Sequence, residues 1–314
     1  MRDGGEGTVS YEHDGHDGRN ILAGMAADLG YCAAPPSPGA DQEQVDGREN
    51  IPRTGGVLLV ANHLSYIDWA PDGAFLHACG RYPVFMIKAS AFEVKGIGGF
   101  LRKAGQLPVH RGSRDAALAL SEAEKRLAAG AAVVIYPEGT ATRDPARWPM
   151  AAKTGVARLA LATGVPVIPV AHWGTQDILP YGEKKPRLLP RKSVHVVAGR
   201  PVDLSQWAGQ QHSAKALRTA TDAIMAQVAE LVGQLRGETP PPVPYDPRNP
   251  AAAGPQSMTR PLPETPPGQL GWQTADPPPA NYSGPPSSGT SADARCWTRL
   301  RRGLPHPLLA FSKS

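Results

Sequence analysis

The sequence predicts an α/β fold in which a mainly parallel central sheet is flanked by helices. Short, continuous apolar runs rich in β-branched residues, such as residues 57–61 and 132–136, are typical of strands buried on both faces. Segments with helical spacing of apolar residues alternate with these runs, an order that favours a parallel sheet covered on both sides. With 41% hydrophobic residues in 314, the chain has enough apolar side chains for a sizeable core.

The elements follow one another along the middle of the chain. Residues 115–129 predict an amphipathic helix, because Leu118, Glu122 and Leu127 have helical spacing and Gly130 is a typical stop signal. The other predicted elements are, in order, strands at 57–61, 82–87, 106–109 and 132–136, a helix at 155–163, strands at 165–171 and 194–197, and a helix at 214–235.

The two ends of the chain have a different composition from its middle. Residues 1–50 carry 3 Lys/Arg and 10 Asp/Glu, a net charge of −7, and apart from one apolar island at 21–32 they are rich in Gly, Asp and Pro. Of the 34 prolines, 18 lie between residues 240 and 314, where neither helix nor sheet can run for long. We therefore predict an irregular acidic segment at 1–46, one folded domain at 47–238, and a Pro-rich disordered tail at 239–314.

The folded part is basic, since residues 51–239 carry 23 Lys/Arg against 14 Asp/Glu, a net charge of +9. A basic globular unit is typical of a protein with an anionic partner, which could be nucleic acid, a phosphorylated metabolite or an anionic membrane surface. A merely solvated basic surface is the alternative. The chain contains no recognised nucleic-acid-binding motif or aromatic platform, so we expect no nucleic-acid partner.

Cysteine spacing and hydropathy restrict the compartment. Cys32, Cys79 and Cys296 lie far apart without a CxxC pair, which predicts neither a disulfide framework nor a metal site and fits a reducing cytosol. The longest apolar runs have six or seven residues, far short of the roughly 20 that span a bilayer, and no signal peptide is recognisable. Any contact with a membrane is therefore expected to be peripheral.

The stretch NHLSYID, residues 62–68, follows the first predicted strand directly. His63 leaves this strand at the edge of the sheet where α/β proteins usually bind ligands. If the next helix begins near Ser65, the carboxylate of Asp68 reaches the same place, fixes one imidazole nitrogen and leaves the other free to accept a proton. The alternative is a capping box, in which Ser65 and Asp68 only bind free amides at the start of the helix.

The stretch YPEGT follows a second buried strand. It brings Glu138, Gly139 and Thr140 to the same edge, where Gly139 allows close backbone approach, Glu138 is able to accept from a substrate hydroxyl and Thr140 is able to donate. The alternative is an ordinary turn capped by threonine.

The stretch LPVHRG contains Arg111 between a strand and the start of a helix. A guanidinium beside helix-terminal amides suits a phosphate, and the alternative is a surface arginine paired with Asp115. Lys88 and Arg143 are further cations near the ends of strands or motifs, and each taken alone is typical of a solvated charge.

Taken together, NHLSYID, LPVHRG, YPEGT and VPVIPV stand in the order and approximate spacing of the four motif blocks of the PlsC-like glycerolipid acyltransferases, the family of 1-acylglycerol-3-phosphate acyltransferase. The resemblance covers residues 47–235 and implies the glycerolipid acyltransferase fold. It implies that His63 is the general base and Asp68 its orienting partner. The acceptor hydroxyl then attacks the thioester of acyl-CoA or acyl carrier protein without a covalent acyl-enzyme.

The resemblance also implies a substrate site. Arg111 with Glu138, Gly139 and Thr140 would position the phosphate-bearing acceptor, and Lys88 and Arg143 join them as candidate cations. No cofactor or metal is required, since the acyl thioester is a co-substrate. The expected reaction converts lysophosphatidate to phosphatidate in phospholipid biosynthesis, at an anionic membrane surface on the cytoplasmic face of the plasma membrane. Another acceptor, or a catalytically weak lipid-binding protein, is the alternative.

The chain departs from the family pattern in two ways. The family commonly has arginine directly after Glu-Gly-Thr, where this chain has Ala141, so either Arg143 reaches the phosphate or the acceptor differs. The family usually begins with an apolar or amphipathic helical hairpin, where this chain has its acidic segment. Either residues 21–32 replace the hairpin or membrane docking is impaired.

Overall fold

A six-stranded sheet forms the centre of the protein, whose computed structural model describes residues 46–110, 113–183, 185–190 and 192–249. The strand order is β3, β2, β4, β1, β5, β6; β1 to β5 run parallel, and β6 pairs antiparallel with β5. The strands are β1 (Val57–Ala61), β2 (Pro83–Lys88), β3 (Leu107–Val109), β4 (Ala132–Ile135), β5 (Val167–Trp173) and β6 (His195–Ala198).

Helices occupy both faces of this sheet. They are α1 (Trp69–Ala78), α2 (Ile97–Lys103), α3 (Ser113–Ala128), α4 (Gly155–Thr163), α5 (Thr175–Ile178) and α6 (Ala214–Arg236). The long α6 begins where the hydroxyl of Ser213 accepts the amide of Ala216, and it ends at Gly237, which has a φ of 66°. Both ends therefore match the sequence signals for starting and stopping a helix.

Alternate side chains of the central strands enter two cores. Leu58 and Val133 pack with side chains of α3, α4 and α6 on one face, and Leu59 and Val134 pack with α1 on the other. Every residue of β1 is buried, as expected for a strand covered on both sides. The middle of the sheet is thus held rigidly, and the strand ends that follow it have defined positions.

The structure confirms the predicted α/β class and the mainly parallel sheet. The helix after β1 begins at Trp69 and not near Ser65, because the carboxylate of Asp68 accepts the amides of Leu64 and Ser65 and holds them in a turn. The helix α2 was not predicted. The apolar island at 21–32 and the tail beyond 249 lie outside the described residues.

One finding bears on the expectation that any contact with a membrane is peripheral. Among the helices of the described ranges, none combines the length and the apolar character needed to cross a bilayer.

Candidate active site

The candidate site lies at the carboxyl end of β1, between the ends of β4 and β5. His63 is the second residue after β1, and its side chain is 16% exposed, so its ring is accessible from one side only. Its neighbours on the sheet supply Glu138 after β4 and His172 within β5. The parallel pairing of these three strands brings together residues that are far apart in sequence.

His63 and Asp68 form a close pair. Nδ1 of His63 lies 2.8 Å from Oδ2 of Asp68, whose side chain is fully buried. The same oxygen accepts the amides of Leu64 at 2.6 Å and Ser65 at 2.9 Å. The carboxylate therefore fixes the imidazole and the turn together. It makes no cap bond to the helix, which begins at Trp69, so the capping box is not formed, and the catalytic role of the pair stays a prediction.

A second histidine lies on the other side of Asp68. His172 is completely buried, with Nδ1 3.0 Å from Oδ1 of Asp72 and Nε2 3.2 Å from Oδ2 of Asp68. The latter contact is electrostatic and is not aligned as a hydrogen bond. Burial by itself would lower the pKa of His172, but the two carboxylates raise it well above its usual value.

The same groups keep Asp68 ionised. Its burial by itself would raise the pKa of the carboxyl, but the charge of His172, together with the hydrogen bond and charge of His63, outweighs this and holds the pKa well below its usual range. An ionised Asp68 is an acceptor only, so it fixes the Nδ1 side of His63 as the donor and leaves Nε2 as the basic nitrogen.

Tyr136 supports His63 from beneath. Its ring stacks on the imidazole with centroids 4.6 Å apart and an angle of 22° between the planes. Its hydroxyl donates to Oδ2 of Asp72 at 2.7 Å. Burial, followed by the charges of Asp72 and Asp68, raises the pKa of Tyr136 well above its usual value, so the phenol stays protonated and keeps donating.

Asn62 joins β1 to β5 at the site. Its amide donates to the backbone carbonyl of His172 at 3.0 Å, and its carbonyl accepts the backbone N–H of His172 at 2.9 Å. These side-chain bonds lie just beyond the pairing of Ala61 with Val170. They hold the end of β1 against the backbone of residue 172.

Glu138 braces the loop that carries His63. One carboxylate oxygen accepts the backbone N–H of His63 at 2.9 Å, and the other accepts that of Met150 at 3.0 Å. Burial raises the pKa of Glu138 to about 8, although these two amides partly oppose the shift. The carboxylate is thus already engaged on both oxygens, and its predicted contact with a substrate hydroxyl stays a prediction.

The turn after Glu138 also lies next to His63, whose exposed side we call the opening of the candidate site. Gly139 has a φ of 74°, and a Cβ at this position would lie 3.1 Å from Nζ of Lys153. Two residues further, Ala141 is completely buried, and the amide of Thr142 donates to the carbonyl of His63 at 2.7 Å. The turn therefore packs directly on His63, and the ammonium group of Lys153 lies beside Gly139.

This geometry agrees with a comparison of the sequence with known families. Residues 42–173, which include all the site residues whose contacts are described above, match the family model described as Acyltransferase. This part of the chain, less than half of its length, is thus similar to acyltransferases.

Proteins with similar sequences carry related names. The chloroplastic 1-acyl-sn-glycerol-3-phosphate acyltransferase BAT2 of Brassica napus is 30% identical over 50% of this chain and 44% of its own length. The 1-acyl-sn-glycerol-3-phosphate acyltransferase of Bacillus subtilis is 26% identical over 61% of this chain and 89% of its own length. The match thus spans less than half of the Brassica protein. The crystal structure of the 1-acyl-sn-glycerophosphate acyltransferase PlsC from Thermotoga maritima has a TM-score of 0.46 and 27% identity, covering 60% of this chain and 70% of that one.

The other predicted site residues differ in how close they lie to His63 and Asp68. Arg111 lies outside the described residues. Lys88 ends β2 at the same sheet edge with an exposed side chain, and Arg143 is exposed beyond the turn. Thr140 is half-buried beside Gly139. No hydrogen bond described for Lys88, Thr140 or Arg143 joins its side chain to His63 or Asp68.

Sequence reasoning missed Asp72, His172 and Tyr136 as parts of this site, and it treated Lys153 only as one more cation near the end of a motif. Asp72 lies four residues after Asp68, one helical turn on, which is a usable signal for a second carboxylate facing the same way. His172 is the only histidine in β5, whose other residues are apolar. A histidine buried in such a strand needs hydrogen-bonding or charged partners.

Proposed function

We propose that the protein transfers an acyl chain from the thioester of acyl-CoA or acyl carrier protein to the hydroxyl of lysophosphatidate, giving phosphatidate for phospholipid biosynthesis. The observation that carries this proposal is the 2.8 Å contact between Nδ1 of His63 and a buried, ionised Asp68. This arrangement leaves Nε2 as a base at a partly open surface. A base fixed in this way suits removal of a proton from a hydroxyl.

The proposed reaction uses this geometry. Nε2 of His63 accepts the proton of the acceptor hydroxyl as its oxygen forms a bond to the thioester carbonyl carbon. The tetrahedral intermediate collapses, the carbon–sulfur bond breaks, and the proton on His63 passes to the leaving thiolate. The contact with Asp68 stabilises the transient imidazolium, and Tyr136 holds the plane of the ring.

Cations around the opening support a phosphate-bearing acceptor. Lys153 lies against Gly139, and Arg143 and Lys88 are exposed at the same edge of the sheet. With Arg111 they would supply positive charge to the glycerol phosphate, and the net charge of +9 over residues 51–239 favours such a substrate. We place the protein at the cytoplasmic face of the plasma membrane, bound peripherally, since both lipid and thioester would be reached from that side.

One observation favours a different acceptor for the same chemistry. Ala141 occupies the position where the family commonly has arginine, and its side chain is completely buried. A site with fewer cations would suit glycerol 3-phosphate less well than a polar lipid without phosphate. Activity confined to a phosphate-free acceptor would exclude the phosphatidate assignment.

The test is an acyl-transfer assay on lipid vesicles with a panel of acceptors. We expect transfer to lysophosphatidate by the wild-type chain and a loss of ~10²–10⁴-fold in kcat for His63→Ala, the range typical of a general base. His77→Ala is the matched control, because His77 is an exposed histidine on α1. Equal transfer by wild type and His63→Ala would refute the proposal and favour a lipid-binding protein.

A further inference from the structure

The exposed apolar side chains of the protein concentrate in one loop. We name residues 179–192, LPYGEKKPRLLPRK, the basic loop; it connects α5 to β6. Among the described residues, seven large apolar or aromatic side chains are exposed, and three of them, Tyr181, Leu188 and Leu189, are in this loop. Leu189 is 84% exposed, the highest value among the seven. A leucine so exposed to water gains no stability from burial in the folded chain.

The basic loop is attached to the turn that carries His63. The hydroxyl of Ser65, two residues after His63, donates to the carbonyl of Leu179 at 2.7 Å. The ring of Tyr66, which is 53% exposed, lies 6.0 Å from that of Tyr181. A fourth member of the exposed apolar group is therefore next to the loop, and the apolar surface adjoins the opening of the candidate site.

The same loop is strongly basic. Its sequence has one anion, Glu183, and five cations: Lys184, Lys185, Arg187, Arg191 and Lys192. Arg187 pairs with Glu183 at 2.5 Å, and Lys185 is exposed. A surface that combines leucine, tyrosine and lysine side chains is typical of proteins that bind at a membrane interface. There the apolar groups enter the acyl region and the cations contact anionic headgroups.

We propose that the basic loop, with Tyr66, docks the protein on an anionic lipid bilayer and brings the opening beside His63 to the membrane. The reason for docking at this place rests on the proposed function, since a lysolipid acceptor keeps its acyl chain in the bilayer. An acidic protein such as acyl carrier protein would also complement the cations. The bilayer is the better match because it provides an apolar medium for Leu188 and Leu189, which an acidic protein surface does not.

The apolar part is tested by sedimentation of the full chain with vesicles of phosphatidylcholine containing phosphatidylglycerol. We expect the double variant Leu188→Ser/Leu189→Ser to bind at least about tenfold more weakly than wild type, because two inserted side chains are lost. The control is Leu118→Ser/Val243→Ser, which changes two other exposed apolar residues and should stay within about twofold of wild type. Circular dichroism checks that each variant is folded.

The charged part is tested with the same vesicles. Lys185→Glu should weaken binding about fivefold or more to vesicles with phosphatidylglycerol and have little effect with phosphatidylcholine alone. Lys215→Glu, an exposed lysine at the start of α6, is its control and should have the smaller effect. Added glycerol phosphate should not displace the protein, because a soluble headgroup offers no apolar phase.

Three results would overturn the proposal. One is failure of the wild-type chain to sediment with anionic vesicles, and another is wild-type binding by the Leu188→Ser/Leu189→Ser variant. The third is variants that leave vesicle binding unchanged but weaken binding to acyl carrier protein, which would assign the loop to an acidic protein. Sedimentation requires no turnover, so an inactive protein that docks through this loop would refute the proposed function alone.

Discussion

His172 lies at the centre of a buried row of groups that extends from the hydroxyl of Tyr136 through Asp72 and Asp68 to His63. A ring with a carboxylate against each nitrogen presents an N–H to both only as the imidazolium. Its positive charge helps the fully buried Asp68 to remain ionised. His172 thus acts on His63 through Asp68, as a positioning residue without contact to the expected reacting atoms.

We therefore expect His172→Gln to lower kcat by about tenfold to hundredfold while leaving the KM for the acceptor nearly unchanged. The substitution removes the positive charge that His172 places beside Asp68, the partner of His63. The acidic limb of the profile of kcat against pH should move to higher pH. The measurement is the pH dependence of kcat and KM in the vesicle assay.

A double variant separates this effect from simple loss of stability. Breaking a buried charge pair on one side costs about 3–5 kcal/mol in the free energy of unfolding. In His172→Gln/Asp72→Asn the cation and one carboxylate are removed together, so we expect less destabilisation than in His172→Gln. A single variant with an unchanged pH profile and a raised KM would show that His172 only supports the structure.

At the scale of single elements, Gly139 in the turn after β4 has a left-handed backbone conformation and lies close to the side chain of Lys153. Gly139→Ala should lower the free energy of unfolding by about 1–2 kcal/mol, because its φ of 74° disfavours a side chain. Its new methyl group would also press against Lys153. We expect the KM for lysophosphatidate to rise several-fold.

Gly164 offers a matched control for this prediction. It ends α4 with a φ of 63°, and a Cβ there would meet no atom within 4 Å. Gly164→Ala should lose similar stability by chemical denaturation but keep the wild-type KM. An equal change of KM in both variants would show that backbone strain, and not displacement of Lys153, is the cause.

The elements differ in how well sequence predicts them. β1 and β4 were predictable because each is a continuous apolar run, and α4 was predicted with its observed bounds, Gly155–Thr163. The start of α1 was not predicted correctly. A helix beginning near Ser65 was expected, but the carboxylate of Asp68 binds the amides of Leu64 and Ser65 and holds them in a turn. Local patterns do not show where a side chain finds its partners.

The candidate site shows the same limit. The spacing of His63 and Asp68, five positions apart, allowed their contact but equally allowed a capping box. Asp72 and His172 are 100 residues apart and meet only because β1 and β5 are neighbours in the sheet. Such a contact depends on strand order, which periodicity along the chain does not contain.

For the whole molecule, the shifted groups give stability a definite dependence on pH. Burial raises the pKa of Glu138 from 4.5 to about 8, so between these values the folded state holds a proton that the unfolded chain releases. The pKa of His172 is also raised, and its contribution is complete below 6.5 and lost as pH rises through the folded value. Asp68 has the opposite sign, and its contribution is lost as pH falls below 3.8.

We therefore predict that the free energy of unfolding falls from pH 6 to pH 9. Each fully linked proton changes it by up to ~1.4 kcal/mol per pH unit. Glu138→Gln should flatten the slope between pH 5 and 8, although it costs ~1–3 kcal/mol overall because one buried amide loses its acceptor. The measurement is urea denaturation at several pH values.

The exposed Glu230→Gln variant provides the control for this series and should keep the wild-type slope. If Glu138→Gln retains that slope as well, Glu138 is ionised throughout the interval from pH 5 to 8. The two backbone amides that donate to it would then lower its pKa by more than burial raises it.

The bonds from the side chain of Asn62 to residue 172 engage only main-chain atoms. The position of β5 at the site is therefore independent of the side chain at 172. Substitutions there are able to add or remove a charge without shifting the strand on which it stands. Residue 172 is thus a natural point for changing the pH range of the proposed reaction while the backbone of β5 keeps its position.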